Sequence, residues 1–216
     1  MSHASADMQA YYAARAPYYD AVYLKPEREA DIAFLRAHLP ERLCGRELLE
    51  VACGTGFWTQ DLAPVARRMT STDYTAEPLA FARLRPGVEA VQFEQADAYA
   101  LPPSLGQFDA AFAGLWFSHV PVEARSVFLD SLHARLRPGA RVLWIDNHEQ
   151  QCQDFPIAET DALGNTYQHR PLRDGSVHRV LKNFPGQAEL QALVAGQARH
   201  TRYQRLDNFW LFEYEL

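Results

Sequence analysis

The sequence is poor in several of the things that give function away cheaply. It has three cysteines, Cys44, Cys53 and Cys152. That odd number, with no C-x-x-C pair, suggests no disulfide framework and no cysteine metal site. The expected compartment is therefore the reducing cytoplasm. No apolar run approaches the roughly 20 residues that a membrane helix needs. The first ten residues hold no hydrophobic signal core. Basic charge is not in excess: 21 Lys and Arg face 27 Asp and Glu, a net charge of −6 at pH 7. A broad nucleic-acid footprint is thus not expected, although a local basic pocket is compatible with it. There is no repeat and no low-complexity tract, and no metal ligand set is predicted.

What is present is an ordinary globular balance. With 216 residues, 48% hydrophobic and 22% charged, the chain can bury one sizeable core. One domain is expected, monomeric or homodimeric. Its parts are an N-terminal helical lid over 1–40, a core over 41–147, a hairpin insertion over 160–185, and a last helix with strands over 186–216. Residues 8–23 are aromatic and helical, with a break near Pro17. A helix follows from Pro26, with Ile32, Leu35 and Leu39 on one face, and Pro40 is expected to stop it. Strands are then predicted at 47–51, 68–73, 89–94, 108–114 and 141–145. Helices at 57–65, 77–84 and 122–136 separate them. Such alternation means a parallel sheet covered on both faces. Beyond it come two strands around Arg173-Asp174-Gly175-Ser176, a helix at 188–194, and two final strands.

The most informative stretch is Glu50-Val51-Ala52-Cys53-Gly54-Thr55-Gly56-Phe57-Trp58-Thr59. A strand enters a glycine turn that opens a helix, which lets backbone approach a ligand closely. Dinucleotides and S-adenosylmethionine both use such a turn. A dinucleotide fingerprint would place a third glycine where Thr59 stands. Glu50 would also repel a pyrophosphate, whereas the ammonium and sulfonium of S-adenosylmethionine are cationic. The plain alternative is a tight turn with a capping glutamate. Two further acids favour the ligand: Asp73, seventeen residues after Gly56, suits ribose hydroxyls, and Asp97 suits an adenine amino group. Both close successive strands at the carboxyl edge, where such sheets bind ligands.

The motifs Glu50-Val-Ala-Cys-Gly54-Thr-Gly56, Asp73, Asp97, Phe108-Asp109 and Leu136-Arg-Pro-Gly139 resemble those of class I S-adenosylmethionine-dependent methyltransferases. The resemblance covers about residues 45–147 and the final strands, and departs at Ala52, where the family usually has glycine. It implies a Rossmann-like α/β fold with a seven-stranded, mostly parallel sheet whose last strand is antiparallel. It also implies S-adenosyl-L-methionine as donor and S-adenosyl-L-homocysteine as product. Glu50, Ala52, Gly54, Thr55, Gly56, Trp58, Thr59 and Gly114 would meet the methionine end, Asp73 and Tyr74 the ribose, and Asp97 and Ala98 the adenine.

Fold alone names no acceptor. The DNA amino-methylating enzymes carry Asn/Asp-Pro-Pro-aromatic after the fourth strand. Here Gly114-Leu115-Trp116-Phe117-Ser118-His119 stands there instead, so a small-molecule acceptor is expected. Tyr11, Tyr12, Tyr18, Tyr19 and Tyr23 form a candidate lid, or else a helix packed on the sheet. Of these, Tyr19 would touch donor and reacting atoms, and Tyr12, Tyr23 and Trp116 would wall the acceptor. The hairpin carries His169, Arg170, Arg173, His178, Arg179 and Lys182. A two-residue Asp174-Gly175 loop pairs Arg170 with Arg179. A three-residue loop with Gly175 as a bulge puts Arg170, His178 and Lys182 on one face and is preferred. The other reading of these charges is a blunted sheet edge.

The Tyr-Tyr-x-x-Arg-Ala-x-x-Tyr-Asp start, the aromatic-Trp-Thr turn, Trp-x-x-His-Val-Pro and the basic hairpin are similar to the phosphonate O-methyltransferases of dehydrophos biosynthesis. That resemblance implies that Arg170 and Lys182 hold an acidic phosphonate, phosphate or carboxylate. His119 is a candidate base or orienting donor, or a residue that fixes its loop. If His119 is a base, the acceptor is a neutral hydroxyl or amine. A binding module without catalysis is the reading from another class.

Overall fold

The computed structural model describes residues 6–216. Its centre is a seven-stranded sheet. The strands are β1 (Glu47–Val51), β2 (Arg68–Asp73), β3 (Gln92–Gln95), β4 (Phe108–Gly114), β5 (Leu136–Asn147), and, nearer the end of the chain, two more at Arg199–Arg205 and Phe209–Glu215. A second sheet is formed by β6 (Glu159–Thr160), β7 (Thr166–Pro171) and β8 (Val177–Leu181), so the two final strands become β9 and β10. The large sheet runs β3-β2-β1-β4-β5-β10-β9. Strands β1 to β5 are mutually parallel, and β10 is antiparallel to both of its neighbours.

Alternation in the buried strands explains two separate cores. On β5, Val142 and Trp144 face one way, Leu143 and Ile145 the other. On β10, Trp210, Phe212 and Tyr214 oppose Phe209 and Leu211. Both faces are apolar because both are covered. One takes Leu35, Leu39 and Leu43 of α2 (Glu29–Leu43); α1 is the lid helix, Ala6–Arg15. The other takes Phe128, Leu129 and Leu132 of α5 (Arg125–His133) and Leu190 and Val194 of α6 (Gln187–Val194). The short helices α3 (Thr59–Leu62) and α4 (Ala76–Ala82) follow β1 and β2.

Several boundaries differ from the sequence reading. Pro40 does not end α2, which runs on to Leu43. Proline removes one N–H, but Leu39 and Leu43 are both fully buried, and that packing holds the last turn in place against the local penalty. The helix expected over 57–65 shrinks to α3, flanked by turns. The fifth strand is longer than predicted at both ends: Leu136 pairs with Phe108 of β4, and Asp146 and Asn147 pair with Trp210 and Phe209 of β10. The N-terminal helix does break near Pro17: a 3-10 stretch, Ala16–Val22, follows α1, with a non-helical kink at Tyr18.

The hairpin takes the three-residue register. His169 pairs with Arg179 and Arg170 with His178. Leu172 N–H donates to Ser176 O at 2.9 Å across the loop, where Gly175 sits at φ 87°. The brief strand β6 then adds to its open edge. Helix α1 lies on this small sheet through Met8 and Tyr11 against Leu172, Val180 and Leu181. Lid and hairpin therefore form one packed unit above the carboxyl ends of β1, β4 and β5.

Candidate active site

Strand order reverses between β1 and β4, and a crevice opens there as parallel sheets require. It holds a cavity of about 1030 Å³, counting its mouth, lined by Glu50, Gly54, Asp73, Asp97 and Gly114 among others. Ala52, Thr55, Trp58, Tyr74 and Ala98 also line it, as do Tyr12, Tyr19, Tyr23, Trp116 and His119 from above. Gly56 and Thr59 do not reach the cavity wall. Gly56 has φ 74°, and a Cβ there would meet Ala82 at 3.0 Å, so this glycine lets β1's turn lie against α4. Thr59 instead donates its hydroxyl to Glu50 Oε2 at 2.6 Å.

Glu50 is 1% exposed. Ser71 donates to the same Oε2 at 2.8 Å, so among the described residues Oε1 is the oxygen left to a ligand. Burial raises this carboxyl to about 7, opposed by the two hydroxyl bonds. The turn's amides are already engaged. Cys53 N–H donates to Thr72 O at 2.9 Å, and Gly54 N–H to Asp73 Oδ2 at 2.9 Å. A pyrophosphate would need such amides free. The turn instead presents carboxylates, which suit a cationic ligand. Asp73 Oδ1 also accepts from the Thr75 N–H and hydroxyl at 3.0 and 2.9 Å, and burial raises its carboxyl. Asp97 is braced by Tyr99 N–H at 3.0 Å.

Ala52, the departure from the family pattern, sits at φ 54°. That left-handed conformation costs an alanine about 1–2 kcal/mol. Leu115 sits at φ 56°, strained where β4 ends.

A second cavity adjoins the first. The two share Tyr12, Tyr19, Leu115 and His119 as a common wall. Arg170 and Lys182 line only the second. The structure does not bring His178 and Arg179 into either. His178 Nδ1 lies 2.7 Å from Asp7 Oδ1, and Arg179 pairs with Glu159 at 2.8 Å over the Tyr167 ring. Arg179 lies on the opposite face of β8 from Lys182, as period two dictates. His178 shares the face of Arg170, but α1 covers it.

Lys182 is buried and fully engaged. Its Nζ donates to Ser118 Oγ at 2.6 Å, Asp146 Oδ1 at 2.8 Å and Asn147 Oδ1 at 3.1 Å. Burial lowers it to about 8, and Asp146 opposes that shift. Arg170, 4% exposed, donates to Gln168 Oε1 at 3.1 and 2.7 Å and to the Tyr12 hydroxyl at 3.3 Å. His119 Nδ1 lies 2.6 Å from Leu181 O. A carbonyl only accepts, so Nδ1 carries the proton. Nε2 then accepts from the Tyr12 hydroxyl at 2.8 Å. Burial, and the charges of Lys182 and Arg170, hold His119 well below the ordinary histidine range, so it is neutral.

The sequence reading missed Asp146, Asn147, Ser118 and Gln168. It also missed Arg15, Lys25 and Arg28, which line the second cavity from the lid segment. It missed the Asp20–Arg85 pair too, which ties that segment to the glycine turn through Thr55. Gln168 was legible as the partner two residues before Arg170 on one strand face. So was the Asp146-Asn147 pair, polar residues closing a buried strand at the sheet's carboxyl edge.

A family model described as a methyltransferase domain matches residues 48–139. The ubiquinone biosynthesis O-methyltransferase of Azotobacter vinelandii is 33% identical over 107 residues, 48% of this chain and 45% of that protein. The demethylmenaquinone methyltransferase of Lactococcus lactis subsp. lactis is 31% identical over 110 residues, 48% of this chain and 43% of that protein. The chain thus spans less than half the length of these curated relatives. The solved structure of a DhpI–SAM–HEP complex is similar over 99% of both chains, with a TM-score of 0.78 and 31% identity. A DhpI–SAH complex gives 0.77 and 29%, over 96% of this chain and 94% of that one. Among the described residues no helix is long and apolar enough to cross a membrane. With its glycine turn, its carboxylate-lined crevice and these full-length similarities, the chain belongs to the S-adenosylmethionine-dependent methyltransferases.

Proposed function

We propose that the protein O-methylates a small oxy-acid, a phosphonate, phosphate or carboxylate, with S-adenosylmethionine as donor. Arg170 carries this reading. Its guanidinium is buried beside the shared wall, and among the described residues no carboxylate pairs with it. A buried charge held only by neutral oxygens is costly, and an anionic ligand in the second cavity offsets that cost.

The donor supplies an electrophilic methyl group on a sulfonium sulfur. Glu50 would hold its ammonium, Asp73 its ribose and Asp97 its adenine, with Ala98 and Tyr74 beside them. Tyr19 at the shared wall, with Tyr23 and Trp116 in the first cavity, excludes water. Neutral His119 fixes the Tyr12 hydroxyl, and Tyr12 with Arg170 orients the acceptor. Lys182, engaged by Asp146, Ser118 and Asn147, braces the cavity wall. An acid ionised at pH 7 needs no base, so the chain contributes alignment and electrostatics. The test is a panel of small phosphonates, phosphate monoesters, carboxylic acids, neutral alcohols and amines, read by mass spectrometry of the methylated product and by S-adenosylhomocysteine release. Turnover is expected on acids, and His119→Asn should retain much of it. Methylation of alcohols or amines alone, abolished by His119→Asn, would overturn the reading in favour of a histidine base.

Two predictions concern the donor end. Glu50 titrates near 7 in the free protein and must be ionised to meet an ammonium. Its folded value lies above the unfolded one, so the free fold is favoured below about pH 4.5 and loses that contribution as pH rises through 7. Donor affinity moves the opposite way. It should strengthen about eightfold from pH 6 to 7.5, with proton release in calorimetry, and Glu50→Gln should flatten the profile. At Gly114, a Cβ would lie 2.8 Å from Trp58 Cδ1. Overpacking of this kind costs about 1–3 kcal/mol. Gly114→Ala should therefore weaken S-adenosylhomocysteine binding about tenfold or more, measured by titration, with circular dichroism unchanged.

A further inference from the structure

The second cavity has more donors than a single acid needs. Five cationic side chains line it, Arg15, Lys25, Arg28, Arg170 and Lys182, against one carboxylate, Asp154. Two acids compensate from outside the lining. Asp146 pairs with Lys182, and Glu27, on the exposed rim, approaches Lys25 at 3.6 Å. Lys25 and Arg28 share Asp154 at 2.7 and 3.4 Å. Arg15 donates to the Tyr11 hydroxyl at 2.7 Å and lies over the Tyr19 ring. Arg15 and Arg170 thus line the cavity with no acid partner among the described residues.

Two polar atoms on the floor are also unmatched. Asn147 is 4% exposed and Arg28 3%. Asn147 Nδ2 and Arg28 Nε are buried, with no hydrogen-bond partner among the described residues. The Asn147 amide is oriented, because Lys182 donates to its Oδ1 at 3.1 Å. Nδ2 therefore turns away from Lys182. Leaving a buried donor without a partner is unfavourable, so such donors are kept where something accepts from them. Arg28 is further held by Val22 O at 2.7 Å and by its place over the Phe209 ring, and burial lowers its guanidinium. Neither residue lines the donor cavity.

We propose that this floor, formed by Arg28 and Asn147 with Lys25 at its rim, binds a second oxy-anionic group of the acceptor, of the carboxylate class. The acceptor is then a bifunctional acid. One acid group meets Tyr12, His119 and Arg170 at the shared wall and is methylated. The other accepts from Asn147 Nδ2 and the Arg28 guanidinium and sets which acids are used. The inference rests on the oxy-acid reading and adds a specificity device to it.

The test compares kcat/KM for matched pairs in the intact protein: 3-phosphonopropionate against propylphosphonate, and glutarate against valerate. In at least one pair the bifunctional acid is expected to be preferred about tenfold or more, the scale of one charge-assisted bond. Asn147→Asp keeps an oxygen for Lys182 but replaces the donor by a repelling carboxylate. It should cut that preference at least tenfold, while S-adenosylhomocysteine affinity stays within about twofold. Arg28→Met should bring the preference close to one, and Lys25→Ala, more exposed, should lower it without unfolding risk. Equal use of both acids in each pair by the native protein overturns the second subsite and leaves the oxy-acid reading standing. So does a preference that survives Asn147→Asp and Lys25→Ala. If no acid of either pair is bound or methylated, the oxy-acid reading falls and this inference with it.

Discussion

Asp146→Ala is expected to cost about 3–5 kcal/mol of stability. Asp146 is fully buried at the end of β5. Its Oδ2 accepts from Ser118 N–H at 2.8 Å, and its Oδ1 from the Ser118 hydroxyl at 2.9 Å, Asn147 N–H at 2.8 Å and Lys182 Nζ at 2.8 Å. Removing the carboxylate strands an ammonium and a loop amide in the core, the costly half of breaking a buried pair. For a domain of this size the melting temperature should fall by about 10 °C. The double variant Asp146→Leu with Lys182→Met should recover part of that loss, because two apolar groups do not leave a charge uncompensated. The damage should extend to function. The same network anchors Asn183 N–H on Ser118 O at 2.7 Å, and so ties the hairpin bearing Arg170 to the large sheet. A melting temperature within 2 °C of the parent protein, measured by calorimetry, would contradict a structural role for this pair.

How far the sequence announced this architecture depends on how far each signal reaches along the chain. The glycine turn, Asp73 and Asp97 are legible because each depends on its own strand end, and a parallel sheet brings strand ends to one edge. The hairpin register is legible because Gly175 supplies the positive φ that a three-residue loop needs. Other outcomes rest on contacts that no local pattern encodes. His178 and Arg170 share a face, yet Asp7 on α1 captures His178. Lys182 reads as a free cation until Asp146, thirty-six residues earlier, is seen to neutralise it. Arg15, Lys25 and Arg28 lie in the N-terminal lid segment, and only its folding over the sheet brings them to the wall of the second cavity. Pro40 was misread for a similar reason: buried Leu39 and Leu43 outweigh a local helix stop.

Arg170→Met should separate the acceptor from the donor most sharply. The guanidinium is fixed by two bonds to Gln168 Oε1 and lies over the Phe155 ring, so its remaining donors are preorganised. Charge-assisted bonds to a buried anion are worth about 1.5–3 kcal/mol. The acceptor KM should therefore rise between about tenfold and a hundredfold, while the donor dissociation constant stays within about twofold. Methionine preserves much of the apolar stem, which limits the packing loss. Arg170→Lys should recover only part of the affinity, because an ammonium restores charge but not the planar fork. That graded order, arginine above lysine above methionine, distinguishes recognition of an anion from a structural defect. A defect would move the melting temperature and donor affinity together. An acceptor KM equal in all three proteins, for an acid that is demonstrably methylated, would place the anion elsewhere in the cavity and remove Arg170 from its recognition.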